Sequence, residues 1–317
     1  MNILQREITF ESCVKGENIF VRIAEPEERR DIKGVVQIAH GMAEHSLLYT
    51  DFMKFLASQG YFVAANDHLG HGKTLSPGGV SGYFGPGGVE NLIRDMHHLY
   101  ELIHAQYGNV PYYLLGHSMG SFLARSYTAR YGKELDGAIY IGTCGSTGGV
   151  VYAAELLLAD FLVRKKGPKG HDPIFAKLST QRYNQAFQPV RTPNDWISRD
   201  REQVDFYTND PLCGFDMTVS GYRDIVALQK EIGSRAWYRA VPDIPLLILS
   251  GDQDPVGGFG KGVRQVAKRL KKTGHNVKLV LYLNARHAIL TETNKDEVYQ
   301  EVLNFLHSCG QREKTAV

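Results

Sequence analysis

The chain has 317 residues, 43% of them hydrophobic and 10% aromatic, with 36 Lys+Arg against 34 Asp+Glu for a net charge of +2. That length fits one large domain or two ordinary ones, with ample apolar surface to bury. The composition excludes a disordered chain, the charge gives no footprint for nucleic acid, and no run of about 18 apolar residues is present to span a membrane.

The opening segment Met1–Glu7 lacks an apolar stretch and turns acidic at once, so it does not read as a secretion signal. Ile19–Ala24, Val35–His40 and Phe62–Asn66 are apolar runs of strand length, whereas Leu47–Ser58 and Val89–Tyr107 carry helical spacing. In the second helix Leu92, Met96, Tyr100, Ile103 and Tyr107 fall on one face. Residues 77–88, with six glycines and two prolines, form a loop. Tyr112–Gly116 reads as a strand, followed by a helix from Ser118 to Tyr131 and a strand at Ala138–Gly142. Strands at Pro245–Gly251 and Lys278–Leu283 come much later, with helices near Gly260–Thr273 and Lys295–His307. Asn294 and Glu297 have the spacing of a capping box for the last helix. Of the adjacent pair His97-His98, one side chain is expected to point inward and one outward.

Strand–helix alternation with continuously apolar strands predicts an α/β fold around a mainly parallel sheet. The interval between the strands ending near residue 144 and starting near residue 244 far exceeds the roughly 30 residues of a whole β-α-β unit. An inserted subdomain over 145–240 is therefore expected, splitting a core made of 1–144 and 241–317. The insert holds the apolar stretch Val151–Val163, interrupted only by Glu155 and Asp160, and then the basic cluster Arg164, Lys165, Lys166 and Lys169. No internal repeat is present. Cys13, Cys144, Cys213 and Cys309 lie far apart with no C-x-x-C pair, which predicts free thiols in a reducing cytoplasm rather than a disulfide scaffold or zinc site.

The chemistry concentrates at Gly116-His117-Ser118-Met119-Gly120, a G-x-S-x-G placed where a strand meets a helix. Such a turn strains the serine backbone and exposes its hydroxyl at the carboxyl edge of the sheet. Serine needs a base, and a histidine oriented by a carboxylate supplies one. His287 follows the last strand, at the edge where open α/β sheets place their sites, and is the histidine so placed after Ser118. Asp252 and Asp254 compete for the acid, Asp254 lying further into its turn. An oxyanion hole needs two backbone amides. The residue after the nucleophile, Met119, offers one, and Met42, after the strand ending at His40, offers the other. No nucleotide cofactor is expected: Gly72-Lys73-Thr74 imitates the end of a phosphate-binding loop, but Asp67 stands where its first glycine belongs. His68 and His71 lack a third ligand at metal spacing, so loop-fixing hydrogen bonds are expected there and no metal.

His40-Gly41-Met42-Ala43-Glu44-His45-Ser46, Asp67-His68-Leu69-Gly70-His71-Gly72, the serine turn, Gly251-Asp252-Gln253-Asp254-Pro255-Val256 and Arg286-His287 together resemble the α/β-hydrolase superfamily. Within it they are similar to the monoacylglycerol lipase and lysophospholipase-like branch, also called serine aminopeptidase-like. Asp195-Trp196-Ile197-Ser198-Arg199-Asp200 and Asp210-Pro211-Leu212-Cys213-Gly214-Phe215 extend the resemblance into the insert. The resemblance implies an eight-stranded, mostly parallel sheet flanked by helices, with the insert as a helical cap over the acyl pocket. It implies Ser118 as nucleophile, Asp254 as acid, His287 as base, and the Met42 and Met119 amides as oxyanion hole. Leu48, Leu69 and Ala288 depart from the family pattern, which has arginine, arginine and glutamate at these places.

The reaction so expected is two-step hydrolysis of an acyl ester, a monoacylglycerol or related lipid, through an acyl-enzyme and without cofactor. The apolar stretch Val151–Val163 is expected to line an acyl channel, to touch a lipid surface, or simply to pack on the core. An aminopeptidase, a thioesterase or another hydrolase on the same triad is the alternative, although nothing in the sequence marks an acidic pocket for a free amine. A non-catalytic binding module is disfavoured because all three triad residues are present, and an epoxide hydrolase or dehalogenase because Ser118 stands where those use aspartate.

Overall fold

Strands β1 (Ile3–Glu11), β2 (Asn18–Pro26), β3 (Gly34–Ala39), β4 (Tyr61–Asn66), β5 (Tyr112–His117), β6 (Gly137–Ile141), β7 (Leu246–Gly251) and β8 (Val277–Tyr282) form one sheet. The computed structural model describes residues 2–28, 32–178 and 180–315. The strand order is β1-β2-β4-β3-β5-β6-β7-β8, antiparallel at β1–β2 and β2–β4 and parallel at every other pairing. Helices α1 (Thr50–Ser58), α2 (Val89–Tyr107), α3 (Met119–Tyr131), α4 (Gly149–Lys166), α5 (Pro173–Leu178), α6 (Thr180–Asn184), α7 (Arg201–Asn209), α8 (Val219–Ile232), α9 (Arg235–Ala240), α10 (Lys261–Lys272) and α11 (Lys295–Thr315) surround it.

The continuously apolar strands are buried on both faces, and alternate side chains join different layers. Val35 and Ala39 of β3 pack with Leu92 and Met96 of α2 and Leu123 of α3, whereas Val36 and Ile38 pack with Phe52 of α1 and Val302 of α11. Strand β1 has no counterpart in the sequence reading. Phe10 is its only buried residue, so this edge strand carries no apolar run to mark it. It is held instead by the β2 ladder and by Arg6 Nε donating to Oε1 of the buried Glu25 at 2.8 Å.

Helices α4–α9 all lie between β6 and β7 in sequence. Ala159, Leu162, Met217, Tyr222 and Trp237 from this region share one buried cluster with β3 and α3. The fully buried Arg125 of α3 joins it more specifically. Its Nη1 donates to the Cys144 carbonyl at 2.9 Å, its Nη2 to the Ile232 carbonyl at 2.7 Å, and its guanidinium stacks 4.4 Å from the Trp237 ring. No helix among the described residues is long and apolar enough to cross a membrane.

Two local expectations change. Asn294 does not close a capping box through its oxygen, because Oδ1 accepts from Arg199 Nη2 at 2.9 Å. His97 and His98 are both half-buried: the first stacks on Tyr131 at 3.8 Å and the second meets the edge of Phe10 at 5.1 Å.

Candidate active site

Ser118 stands between the last residue of β5 and the first of α3, with φ of 52°. Its amide donates to the Ile141 carbonyl at 2.9 Å, pinning the turn to the end of β6. The flanking glycines are dictated by crowding. A Cβ at Gly120 would overlap the Ala39 carbonyl, and one at Gly116 would overlap the backbone of Gly120. A serine forced into the left-handed region stores strain that these contacts hold in place.

Asp254 follows β7 and is fully buried; its Oδ1 lies 2.9 Å from His287 Nδ1. The same oxygen accepts from the Val256 amide at 2.9 Å, and Oδ2 accepts from Ser250 Oγ at 3.2 Å. Burial opposes ionisation of this carboxyl, but His287 and the hydrogen bonds outweigh it and hold it below its ordinary range. A carboxylate only accepts, so in the neutral His287 ring Nδ1 carries the proton and Nε2 the lone pair. Among the described residues Nε2 has no hydrogen-bond partner. Asp252 does different work: its Oδ1 accepts from the Asn284 amide at 2.8 Å, bracing the turn after β8.

Ser118, His287, Met42, Trp196 and Asp216 line a small cavity of 70 Å³. Ser118 also lines a cavity of 160 Å³ with walls from Met42, Met119, Phe122, Leu158, Tyr222 and Val256, with Glu155 as its carboxylate. Burial raises the pKa of Glu155. A larger cavity of 650 Å³ shares Glu155, Leu178, Tyr183, Gln229 and Val256 with it. Glu155 and Leu158 therefore bring α4 to the cavity wall, whereas Val150, Val151, Leu157 and Phe161 of the same helix are exposed. Met119 opens α3, so its amide has no intrahelical acceptor. The Met42 amide also has no acceptor among the described residues.

A buried network around His117, the residue before the serine, was not legible in the sequence. Oε1 of Glu44 accepts from the Gly41 amide and from Tyr49 Oη, each at 2.5 Å, and lies 3.2 Å from His117 Nδ1. Burial works against the Glu44 carboxylate, yet His117 and these donors bring its pKa down to about 2. His117 Nε2 faces the His287 carbonyl at 3.4 Å. Burial disfavours the His117 cation, but Glu44 prevails and its pKa is raised. Motif spacing carries no such signal, because the partners lie 73 residues apart.

The histidine-rich loop is fixed by hydrogen bonds, as expected. His71 Nδ1 donates to the Leu69 carbonyl at 3.0 Å while Nε2 accepts from the Ala43 amide at 3.1 Å. Burial pulls the pKa of His71 down to about 3. The His68 amide donates to His40 Nε2 at 2.9 Å. Asp67 ties the same loop by accepting from the Ser46 and Lys73 amides, each at 2.8 Å.

A group not singled out in the sequence is His45, Asp210 and Cys213, whose ligand-type atoms lie within 4.8 Å of one another. His45 Nε2 and Asp210 Oδ2 are 2.9 Å apart, and Asp210 Oδ1 accepts from the Leu212 amide. Burial, then Glu44 and Asp210, push the Cys213 thiol up. The hydrogen-bonded His45–Asp210 pair joins insert to core.

The His287 loop is latched by the insert. Glu292, almost fully buried, accepts from the Arg286 amide at 2.9 Å and from the Arg199 amide and Nε, each at 3.0 Å. Arg286 also donates to the Asp195 carbonyl and stacks 4.3 Å from Phe187. Trp196 packs 5.0 Å from the His287 ring. The departures from the family pattern sit in apolar surroundings: Leu69 is in the core, and Leu48 and Ala288 pack against the Trp196, Ile197 and Tyr207 cluster.

The family model described as serine aminopeptidase, S33, matches residues 30–294. A monoacylglycerol lipase of Mycolicibacterium smegmatis is 28% identical over 283 residues, covering 88% of this chain and 89% of that one. The monoglyceride lipase of Homo sapiens is 26% identical, covering 90% and 86%. A crystal structure of a highly thermostable carboxyl esterase from Bacillus coagulans, in complex with glycerol, superposes with a TM-score of 0.90 at 34% identity, covering 96% of this chain and 99% of that one. With an eight-stranded, mostly parallel sheet and a family match over most of its length, the chain belongs to the serine aminopeptidase S33 family and is a hydrolase of the monoacylglycerol lipase-like branch of the α/β-hydrolase superfamily.

Proposed function

We propose that this protein is a serine carboxylic-ester hydrolase acting on monoacylglycerols or lysophospholipid-like esters. The observation that carries this reading is the 160 Å³ cavity that starts at Ser118 and runs between apolar side chains, a shape suited to an acyl chain. In the proposed reaction Ser118 attacks the ester carbonyl while Nε2 of His287 takes its proton. Asp254 holds the imidazole in the required tautomer and balances its charge. The Met42 and Met119 amides stabilise the oxyanion, His287 protonates the leaving alcohol, and water repeats the sequence on the acyl-enzyme. None of these steps requires a metal or organic cofactor.

Residues 145–240 serve in this reading as a cap over a core of 1–144 and 241–317. Helix α4 supports a transient contact with a lipid surface. Val150, Leu157 and Phe161 are 86%, 71% and 59% exposed, and Arg164, Lys165 and Lys166 follow in its last turn. Apolar residues next to lysine and arginine suit an anionic interface. The four cysteines are free thiols, which fits a cytoplasmic location. A fluorophosphonate probe tests the nucleophile: Ser118 should be the labelled residue, with labelling absent in Ser118→Ala, and labelling elsewhere overturns the assignment.

A second reading, an aminopeptidase, draws support from Glu155 on the cavity wall, a carboxylate able to meet a substrate ammonium. Aminoacyl amides assayed beside acyl esters separate the two. Faster turnover of the amides, lost in Glu155→Gln, favours the peptidase.

A further inference from the structure

We infer that a cavity remote from Ser118, between α9 and α10, is a binding site for a phosphoryl group. This 520 Å³ cavity is lined by Arg235, Tyr238 and Arg239 of α9 and by Arg269 and Lys272 of α10. Each set shares one helix face, because residues three and four apart are neighbours. Two helix faces, each carrying two cations, thus converge on one concavity, and no carboxylate is among its lining residues.

Basic residues in a last helical turn ordinarily answer the helix dipole or stand in solvent. Arg269 does part of that work, with Nη1 donating to the Gly233 carbonyl at 3.4 Å. Three observations go further. None of Arg235, Arg239, Arg269 and Lys272 is in an ion pair among the described residues, although this chain pairs many of its other cations. Arg235 and Arg239 come from a different helix than Arg269 and Lys272. Finally, Tyr238 in the cavity wall is 3% exposed, and Arg269 lies over its ring, 5.7 Å from the centroid, so the wall helps hold one of the cations in place.

Four exposed cations around one cavity, none paired with a carboxylate among the described residues, select a multiply charged anion, and guanidinium forks match phosphoryl oxygens. The volume accommodates a phosphate ester as well as inorganic phosphate. The site is separate from the triad; it adjoins the 650 Å³ cavity through Ser146, which lines both. It does not depend on which ester the enzyme hydrolyses.

Isothermal titration of the full chain with inorganic phosphate and with pyrophosphate, at about physiological ionic strength, tests this. One saturable site per chain is expected. Arg239→Ala/Arg269→Ala should weaken binding about tenfold or more. Lys15→Ala/Lys133→Ala, which removes equal charge elsewhere, should leave it unchanged. Phosphatidylcholine vesicles with and without phosphatidic acid form the second arm. Binding that needs phosphatidic acid and is lost in the arginine double variant, with no response to the soluble anions, assigns the phosphoryl group to a lipid. Saturable binding of the soluble anions assigns it to a soluble ester. No specific binding in either arm, or equal losses in the lysine control, overturns the proposal.

Discussion

The His117 imidazole lies 3.2 Å through Nδ1 from Oε1 of Glu44 and 3.4 Å through Nε2 from the main-chain oxygen of His287. Both ring nitrogens therefore face acceptors, the requirement of the doubly protonated cation. A buried ion pair thus includes the residue next to the proposed nucleophile and touches the backbone of the proposed base.

This pair predicts a stability window. Glu44 is brought from an ordinary 4.5 to about 2, so its contribution is complete above 4.5 and fades as pH falls toward 2. His117 is raised from an ordinary 6.5, so its contribution is complete below 6.5 and fades as pH rises through the higher value. Both are complete between 4.5 and 6.5. Glu44→Gln should lower unfolding free energy in that window by about 3–5 kcal/mol and flatten both flanks. Urea melts of both proteins across the range check this; parallel profiles contradict it.

Asp254→Asn should reduce kcat by about 10⁴-fold, the scale of losing the tautomer-fixing carboxylate in a related triad. Asp252→Asn should cost far less in kcat, because Asp252 braces the Asn284 turn and does not touch His287. Steady-state ester hydrolysis by the two variants makes the comparison, and a larger loss at Asp252 reverses the assignment.

Gly41→Ala tests the oxyanion geometry. The new Cβ would lie 2.7 Å from Glu44 Oε1 and 3.0 Å from Ser118 Cβ, which displaces the turn after β3 that carries the Met42 amide. A loss of roughly 10²–10³ in kcat is expected, the scale of one misplaced oxyanion donor. Circular dichroism and melting establish that the variant is folded, and near-normal kcat in a folded variant argues against a donor at Met42.

Leu157→Ser/Phe161→Ser removes two exposed apolar side chains of α4. Turnover of monoacylglycerol in anionic vesicles should fall several-fold relative to turnover of a soluble short-chain ester. An unchanged ratio, measured by release of fatty acid and nitrophenol, removes α4 from the surface contact.

Much of this arrangement was legible in the sequence because local chemistry announced it. Helix α2 runs over Val89–Tyr107, as its apolar spacing predicted, and Ser118 is where strand meets helix. Among the described residues the His287 ring hydrogen-bonds Asp254 and not Asp252, a choice that the residues alone left open and that only the resemblance implied. What stayed hidden lacks a local pattern. Strand β1 is an exposed edge, and Asn294 gives its oxygen to Arg199, 95 residues away in sequence. The Glu44–Tyr49–His117 network and the Glu292 latch likewise join segments that only the tertiary fold brings together.

The most direct test of the proposed function is kcat/KM across nitrophenyl esters of graded acyl length and across monoacylglycerols, with Ser118→Ala as control. Efficiency should rise beyond the butyryl ester, monoacylglycerols should be cleaved, and Ser118→Ala should be inactive. Turnover confined to acetyl and butyryl esters, or retained without the Ser118 hydroxyl, would contradict it.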